Sequence, residues 1–134
     1  MKRAAIARKP ARNTGPDQQT RGLVLARDNF QCVGCGKPAG GGCTWWSIQH
    51  RVARGVGGGN DPSNLITLCG SATSAGCHRD AENRTEESHG KGYWLRSDED
   101  PRLVPVTIIT EDGGMVRWLS DDGRYLAEAP AGAS

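Results

Sequence analysis

Asn64-Leu65-Ile66-Thr67-Leu68-Cys69-Gly70-Ser71-Ala72-Thr73-Ser74-Ala75-Gly76-Cys77-His78 is the stretch on which the fold turns. Leu65 to Leu68 are apolar and β-branched residues between a Gly-rich loop and a glycine, which predicts a short strand. Cys69 follows that strand, and after a loop Cys77 and His78 open a polar helix that runs through about Ser88. A second cysteine pair lies upstream in the tight knuckle Cys32-Val33-Gly34-Cys35-Gly36-Lys37. The two pairs, C-x2-C at 32 and 35 and C-x7-C at 69 and 77, supply the four tetrahedral thiolates that Zn²⁺ prefers. A site closed by four thiolates has no open position, so its role would be structural. Cys43, the fifth cysteine, could replace Cys77 or be a small buried apolar residue.

Composition explains why such a staple matters. The chain has 134 residues, which suggests a single domain, but only 36% are hydrophobic and 5% aromatic, with 19 glycines. Glycine-rich chains of this size draw on disulfides or metals to supplement a thin core. Structural zinc in small modules contributes about 10–16 kcal/mol of apparent folding energy. No apolar run is long enough for a membrane span, and the basic N-terminus has no apolar stretch of the kind a secretory signal carries. The expectation is therefore a cytoplasmic protein with reduced thiols, for which metal ligation precedes disulfides as the reading of paired cysteines.

Charge is unevenly spread. Residues 1–60 hold ten Lys/Arg against two Asp, a net +8, and residues 61–134 hold seven against thirteen Asp/Glu, a net −6. A basic front half suits a polyanion, although a solvated basic tail would look the same. Residues 1–15 are basic and aperiodic and read as a disordered arm. In it Lys2, Arg3, Arg8, Lys9 and Arg12 could touch phosphates without sequence preference. Residues 17–29 read as a helix started by Pro16 and Asp17, and residues 44–50 as a strand. Trp45 and Trp46 suit packing better than base stacking. Residues 51–63 form a long Gly-rich loop of the kind that is usually functional or mobile. It lacks the Lys-Ser/Thr of a nucleotide P-loop. Farther on, 103–110, 115–119 and 124–126 are strand-like segments separated by Glu111-Asp112-Gly113-Gly114 and Asp121-Asp122-Gly123 turns, a β-meander.

Gln49-His50-Arg51, the glycines of the loop, Asn64-Leu65, and Cys69 followed by Cys77-His78 together resemble the HNH endonuclease pattern. Gln49-His50-Arg51-Val52-Ala53-Arg54-Gly55 with Gly57-Gly58, and Leu68-Cys69-Gly70-Ser71-Ala72-Thr73 leading to Gly76-Cys77-His78, are similar to small HNH proteins carried by phages of actinobacteria. The likeness covers roughly residues 20–90. It implies an α+β fold: a ββα-metal (His-Me finger) core stapled by the four-cysteine zinc knuckle, with an N-terminal helix and the C-terminal meander. The expected division is a basic arm at 1–15, a nuclease core at 16–92, the meander at 93–126 and a flexible tail at 127–134.

The same resemblance implies hydrolysis of DNA phosphodiester bonds with low sequence specificity, in phage DNA processing or packaging. DNA would be the partner, with phage terminase or other packaging proteins beside it. It makes His50 the general base, His78 a ligand of a catalytic divalent cation such as Mg²⁺, Mn²⁺ or Ni²⁺, and Asn64 a support for the loop that aims His50. The residue types suit those roles: an imidazole with a pKa of about 6.5 is largely neutral at pH 7–8 and can take a proton from water. Gln49 stands where the family commonly has a metal-binding Asp, Glu or His, and an amide oxygen holds Mg²⁺ less strongly than a carboxylate. Glu82, four residues after His78 on the same helix face, could restore the charge as a third ligand, as in the colicin nucleases, or be a surface Glu. His78, next to Cys77, could alternatively serve the zinc, and Asn64 could be a turn residue. Arg51 and Arg54 could contact phosphates or be solvated. Two other classes remain as rivals: a catalytically silent zinc-knuckle DNA-binding module, and a zinc deaminase, whose H-x-E signature His50-Arg51-Val52 lacks.

Overall fold

The computed structural model describes residues 15–38, 46–70 and 76–132. The basic arm from Lys2 to Arg12, Cys43 and Trp45 therefore lie outside the described residues. The chain is α+β, with helices set against two small antiparallel sheets. Helix α1 spans Gln18–Arg27, begun by Asp17, whose side chain accepts a hydrogen bond from the Thr20 amide at 2.8 Å. Strands β1 (Trp46–His50) and β2 (Leu65–Cys69) pair antiparallel, with Trp46 opposite Cys69 and His50 opposite Leu65. Helix α2 (Cys77–Glu82) follows β2, giving a strand–strand–helix order.

The polar helix expected from Cys77 through Ser88 is two helices. Arg84 adopts a left-handed conformation (φ 55°), and Thr85 then caps α3 (Glu86–Gly90) by accepting from the Ser88 amide. Ser and Thr compete with the helix backbone in this way, so they favour caps over interiors. The meander consists of β3 (Val106–Ile108), β4 (Met115–Leu119) and β5 (Tyr125–Leu126), each paired antiparallel to the next. The first of these is shorter than the strand-like run 103–110.

Alternation along the hairpin divides the core in two. Ile66 and Leu68 of β2 pack with Val33 of the knuckle, Tyr93, and Val106, Ile108 and Leu119 of the meander. Leu65 and Ile48 pack with Val24 of α1. The meander thus shares its core with the hairpin. Buried Asp28 ties the layers together: one carboxylate oxygen accepts from the Thr67 amide on β2 (2.9 Å) and the other from the Tyr125 hydroxyl on β5 (2.6 Å). Arg27 neutralises it at 2.8 Å. No helix among the described residues is long and apolar enough to cross a membrane.

The Gly-rich loop between the strands is clamped. Asn64 receives the Val52 amide on its Oδ1 at 2.8 Å, and its Nδ2 donates to the carbonyls of Val52 (3.0 Å) and Gly59 (2.9 Å). At Gly58 a Cβ would lie 1.7 Å from the Val52 carbonyl oxygen, so the loop closes on itself only without a side chain there.

Arg51 requires a correction. Offered by the sequence as a phosphate contact, it is 1% exposed and donates to four backbone carbonyls, of Gly92, Ser63, Pro101 and Val104. Burial pushes its pKa down to about 9, still above neutrality, so a charged guanidinium pins the segment after α3 onto the hairpin. With four of its five N–H groups given to carbonyls inside the protein and the side chain buried, it is not placed to reach DNA.

Candidate metal centre and adjoining cleft

The four sulfurs of Cys32, Cys35, Cys69 and Cys77 lie within 4.8 Å of one another. Thiolates at about 2.3 Å from a tetrahedral ion would be about 3.8 Å apart, and Cys35 Sγ and Cys69 Sγ stand at 3.7 Å. The cluster can hold a metal ion such as zinc. Its halves are built locally. In the knuckle, the Gly36 amide donates to the Cys32 carbonyl (2.7 Å) and the Gly34 amide to Cys32 Sγ (3.3 Å), while Gly36 takes φ 77°. A Cβ on Gly34 would come within 3.0 Å of Cys77 Sγ, so the knuckle meets α2 at a glycine. At the other half, Gly76 has φ 92° and a Cβ there would sit 2.7 Å from the Cys69 carbonyl oxygen. That close return lets the Cys77 amide donate to Cys69 Sγ at 3.4 Å despite the long C-x7-C spacing.

The chemistry of the donor set points the same way. A hydrogen bond from Cys77 lowers the Cys32 pKa to about 5, while the same contact raises that of Cys77 and burial raises Cys35 to about 11. Thiolates this close oppose one another's ionisation, so four of them together call for a cation to balance them.

An open cleft of about 480 Å³ runs between β1 and α2, lined by Arg21, Gln49, His50, Arg54, His78 and Glu82 among others. The structure therefore brings together His50, His78, Gln49, Glu82 and Arg54 from the sequence set, and it separates His78 from the sulfur cluster's ligand set. Asn64 stands behind the cleft, holding the loop that begins just after His50. Burial lowers the pKa of both histidines, and the charge of each Arg on His50, and of His50 on His78, acts in the same direction. Both shifts favour the neutral imidazole. His50 Nε2 donates to Asn60 Oδ1 at 2.7 Å, which leaves Nδ1 as its basic atom. His78 Nε2 is 4.0 Å from Glu82 Oε1, beyond hydrogen-bond reach. Gln49 Nε2 donates to the Tyr93 carbonyl at 3.2 Å, and its buried Oε1 has no partner among the described residues.

Gln49, His78 and Glu82 bring an amide, an imidazole and a carboxylate to this cleft, with the unpartnered Gln49 oxygen itself buried. Among the described residues, the four cysteines are the one group of three or more His, Cys, Asp or Glu side chains close enough to share an ion. The cleft set thus depends on Gln49 as its third donor. Arg21 and Arg54 form no ion pair or side-chain hydrogen bond among the described residues. Two guanidiniums without a side-chain partner among the described residues, beside two imidazoles, suit an oxyanion.

Arg21, which lines the cleft, and Ser47 and Asn60, which hydrogen-bond its two histidines, are the residues that sequence reasoning missed. Period-2 alternation places Ser47 on the face of Gln49, which was a usable signal. Asn60 reaches His50 only because the loop folds back, and Arg21 arrives on α1, so neither has a local sequence signature. No family model, curated protein or solved structure matches this chain.

Proposed function

We propose that this protein is a metal-dependent endonuclease of the HNH type that hydrolyses DNA phosphodiester bonds with low sequence specificity, with zinc on the four cysteines as a structural staple. The observation that carries the reading is that two imidazoles, His50 and His78, share one open cleft with Arg21 and Arg54, whose side chains have no ion pair or hydrogen bond among the described residues. The strand–strand–helix order supports it, as do the positions of His50 at the end of β1 and His78 in the first turn of α2.

In this reading Arg21 and Arg54 hold the phosphate by charge and hydrogen bonds, without reading bases. His50, steadied through Asn60, accepts a proton on Nδ1 from the attacking water. Attack in line breaks the P–O3′ bond, and the leaving oxygen takes a proton from solvent, giving 5′-phosphate and 3′-hydroxyl ends. His78, Gln49 and Glu82 would hold the divalent cation, which supplies electrostatic stabilisation of charge at the phosphoryl and leaving oxygens. Asn64 keeps the loop closed so that His50 is presented to the cleft. A role in phage DNA processing or packaging, beside terminase or similar proteins, belongs to the same proposal.

The alternative is a catalytically silent zinc-knuckle DNA-binding module. The neutral Gln49 in the donor set favours it. Supercoiled-plasmid nicking across Mg²⁺, Mn²⁺, Ni²⁺ and Zn²⁺ separates the two. The nuclease reading expects nicking by the wild type that His50→Ala lowers about 10²–10⁴-fold. Retained DNA binding without nicking in any metal selects the module.

A further inference from the structure

Ser47 touches His78 in a way that bears on which nitrogen of that ring is available. Its Oγ lies 2.8 Å from the Gly70 carbonyl oxygen and also makes a hydrogen bond with His78 Nδ1. A hydroxyl has one proton. A carbonyl oxygen can only accept, so the proton must go to Gly70. Were it turned toward His78 instead, two oxygen lone pairs would face each other at 2.8 Å. With the proton on Gly70, Ser47 Oγ is an acceptor toward the ring, and the Nδ1 that meets it must carry hydrogen.

We infer that Ser47 is a positioning residue that locks His78 in its Nδ1–H tautomer, so that the Nε2 lone pair is presented to the cleft for a divalent cation. The geometry is built from the hairpin itself. Ser47 sits opposite Leu68 on β2, two residues before Gly70, and Gly70 takes φ 81° as the chain leaves the strand. His78 is 8% exposed, so water does not compete freely for Nδ1. Its Nε2 is the nitrogen on the side of Glu82, 4.0 Å away. A metal-binding histidine characteristically donates its other ring N–H to a protein acceptor, which fixes the ring and raises its basicity. Here a serine hydroxyl, itself tied to a backbone carbonyl, fills that place. No other described side chain hydrogen-bonds Nδ1.

The inference rests on the nuclease reading for His78's use as a cation ligand, but the tautomer can be measured without activity. Long-range ¹H–¹⁵N spectra of the uniformly labelled, zinc-loaded chain at pH 7.5 resolve its three imidazoles, and His78→Gln assigns one of them. The expected result is a wild-type His78 protonated on Nδ1. In Ser47→Ala that signature is lost, and Mn²⁺ binding, followed by calorimetry, weakens about 10–100-fold. Ser47→Thr, which keeps the hydroxyl, restores both. A wild-type His78 protonated on Nε2 overturns the inference outright, with no variant needed. So does Mn²⁺ affinity unchanged in Ser47→Ala. A chain with the Nδ1–H tautomer and Ser47-dependent Mn²⁺ binding that nicks no plasmid would sink the nuclease reading and leave the Ser47 assignment standing.

Discussion

The two ends of the β1–β2 hairpin carry two different kinds of site. At the Trp46–Cys69 end, four sulfurs converge to within 4.8 Å, two of them buried and all on backbone held by glycines and N–H···S contacts. Toward the His50–Leu65 end an open cleft begins, which His78 and Glu82 join from α2; among the described residues no three His, Cys, Asp or Glu side chains there are close enough to share an ion, and Glu82 is exposed. A closed set of ligands fixes structure, whereas an open, partly furnished set leaves coordination positions for substrate. The same two strands thus carry a closed sulfur cluster that can hold a metal ion and, beside it, an open cleft to which the proposal assigns the chemistry, and damage to each should register in a different assay.

The largest contrast comes from the staple. Cys32→Ser removes one thiolate from the closed set and leaves the knuckle without its metal. A loss on the scale of about 10 kcal/mol exceeds the whole stability of a small domain. The far-UV circular dichroism of the variant should show an unfolded chain, and zinc content by elemental analysis should fall with it. A folded, zinc-free Cys32→Ser would abolish the distinction between the two ends.

Arg51 links the ends to the rest of the chain, and Arg51→Met tests that link. Four carbonyls lose their donor, so the cost expected is about 3–5 kcal/mol, the range for breaking a buried charged network. It should appear as a lower midpoint in denaturant, with DNA affinity of the remaining folded protein unchanged. A selective loss of DNA binding at wild-type stability would return Arg51 to the nucleic-acid interface.

The cleft should respond in binding before stability. Arg21→Ala and Arg54→Ala each remove one exposed cation that is unpaired among the described residues. Each should weaken DNA binding and reduce the slope of log K against log salt by about 1, with the melting temperature unaltered. Equal slopes in wild type and variants would show that the phosphate passes elsewhere.

The smallest effect sharpens the role of His50. Burial holds its pKa below the ordinary 6.5, and Asn60, which favours the charged form, opposes that shift. If His50 acts as the proposed general base, the rate needs the neutral ring and should be flat near pH 7, falling only as pH drops below 6.5. Removing the exposed charge in Arg54→Gln lets the ring hold its proton more readily, which should move that acid limb slightly upward. An acid limb above pH 7 in the wild type would contradict a desolvated base.

How much of this was legible in the sequence follows from the range of the interactions. The four cysteines could be read because C-x2-C is a local motif and Cys69 and Cys77 mark the end of a strand and the start of a helix. The meander was legible from its turn glycines, although β3 proved shorter than its β-rich run. The role of Arg51 was hidden because its acceptors lie 12 to 53 residues away, from Ser63 to Val104, outside the strands and α-helices. Alternation from Ser47 through Gln49 to Arg51 did place it on the inward face, a cue outweighed by the pull of a positive charge next to His50. Asn60 and Arg21 joined the cleft through loop closure and helix packing, which no local pattern encodes. The break after Asn83 came down to Thr85, a residue as fit for a cap as for a helix interior.

The most direct test of the account is plasmid nicking by His50→Ala beside wild type, at matched zinc content and with melting curves on the same samples. The account predicts unchanged melting and zinc with nicking reduced at least about 100-fold. Nicking at the wild-type rate from a folded, zinc-loaded His50→Ala would show that the cleft does not do the chemistry assigned to it.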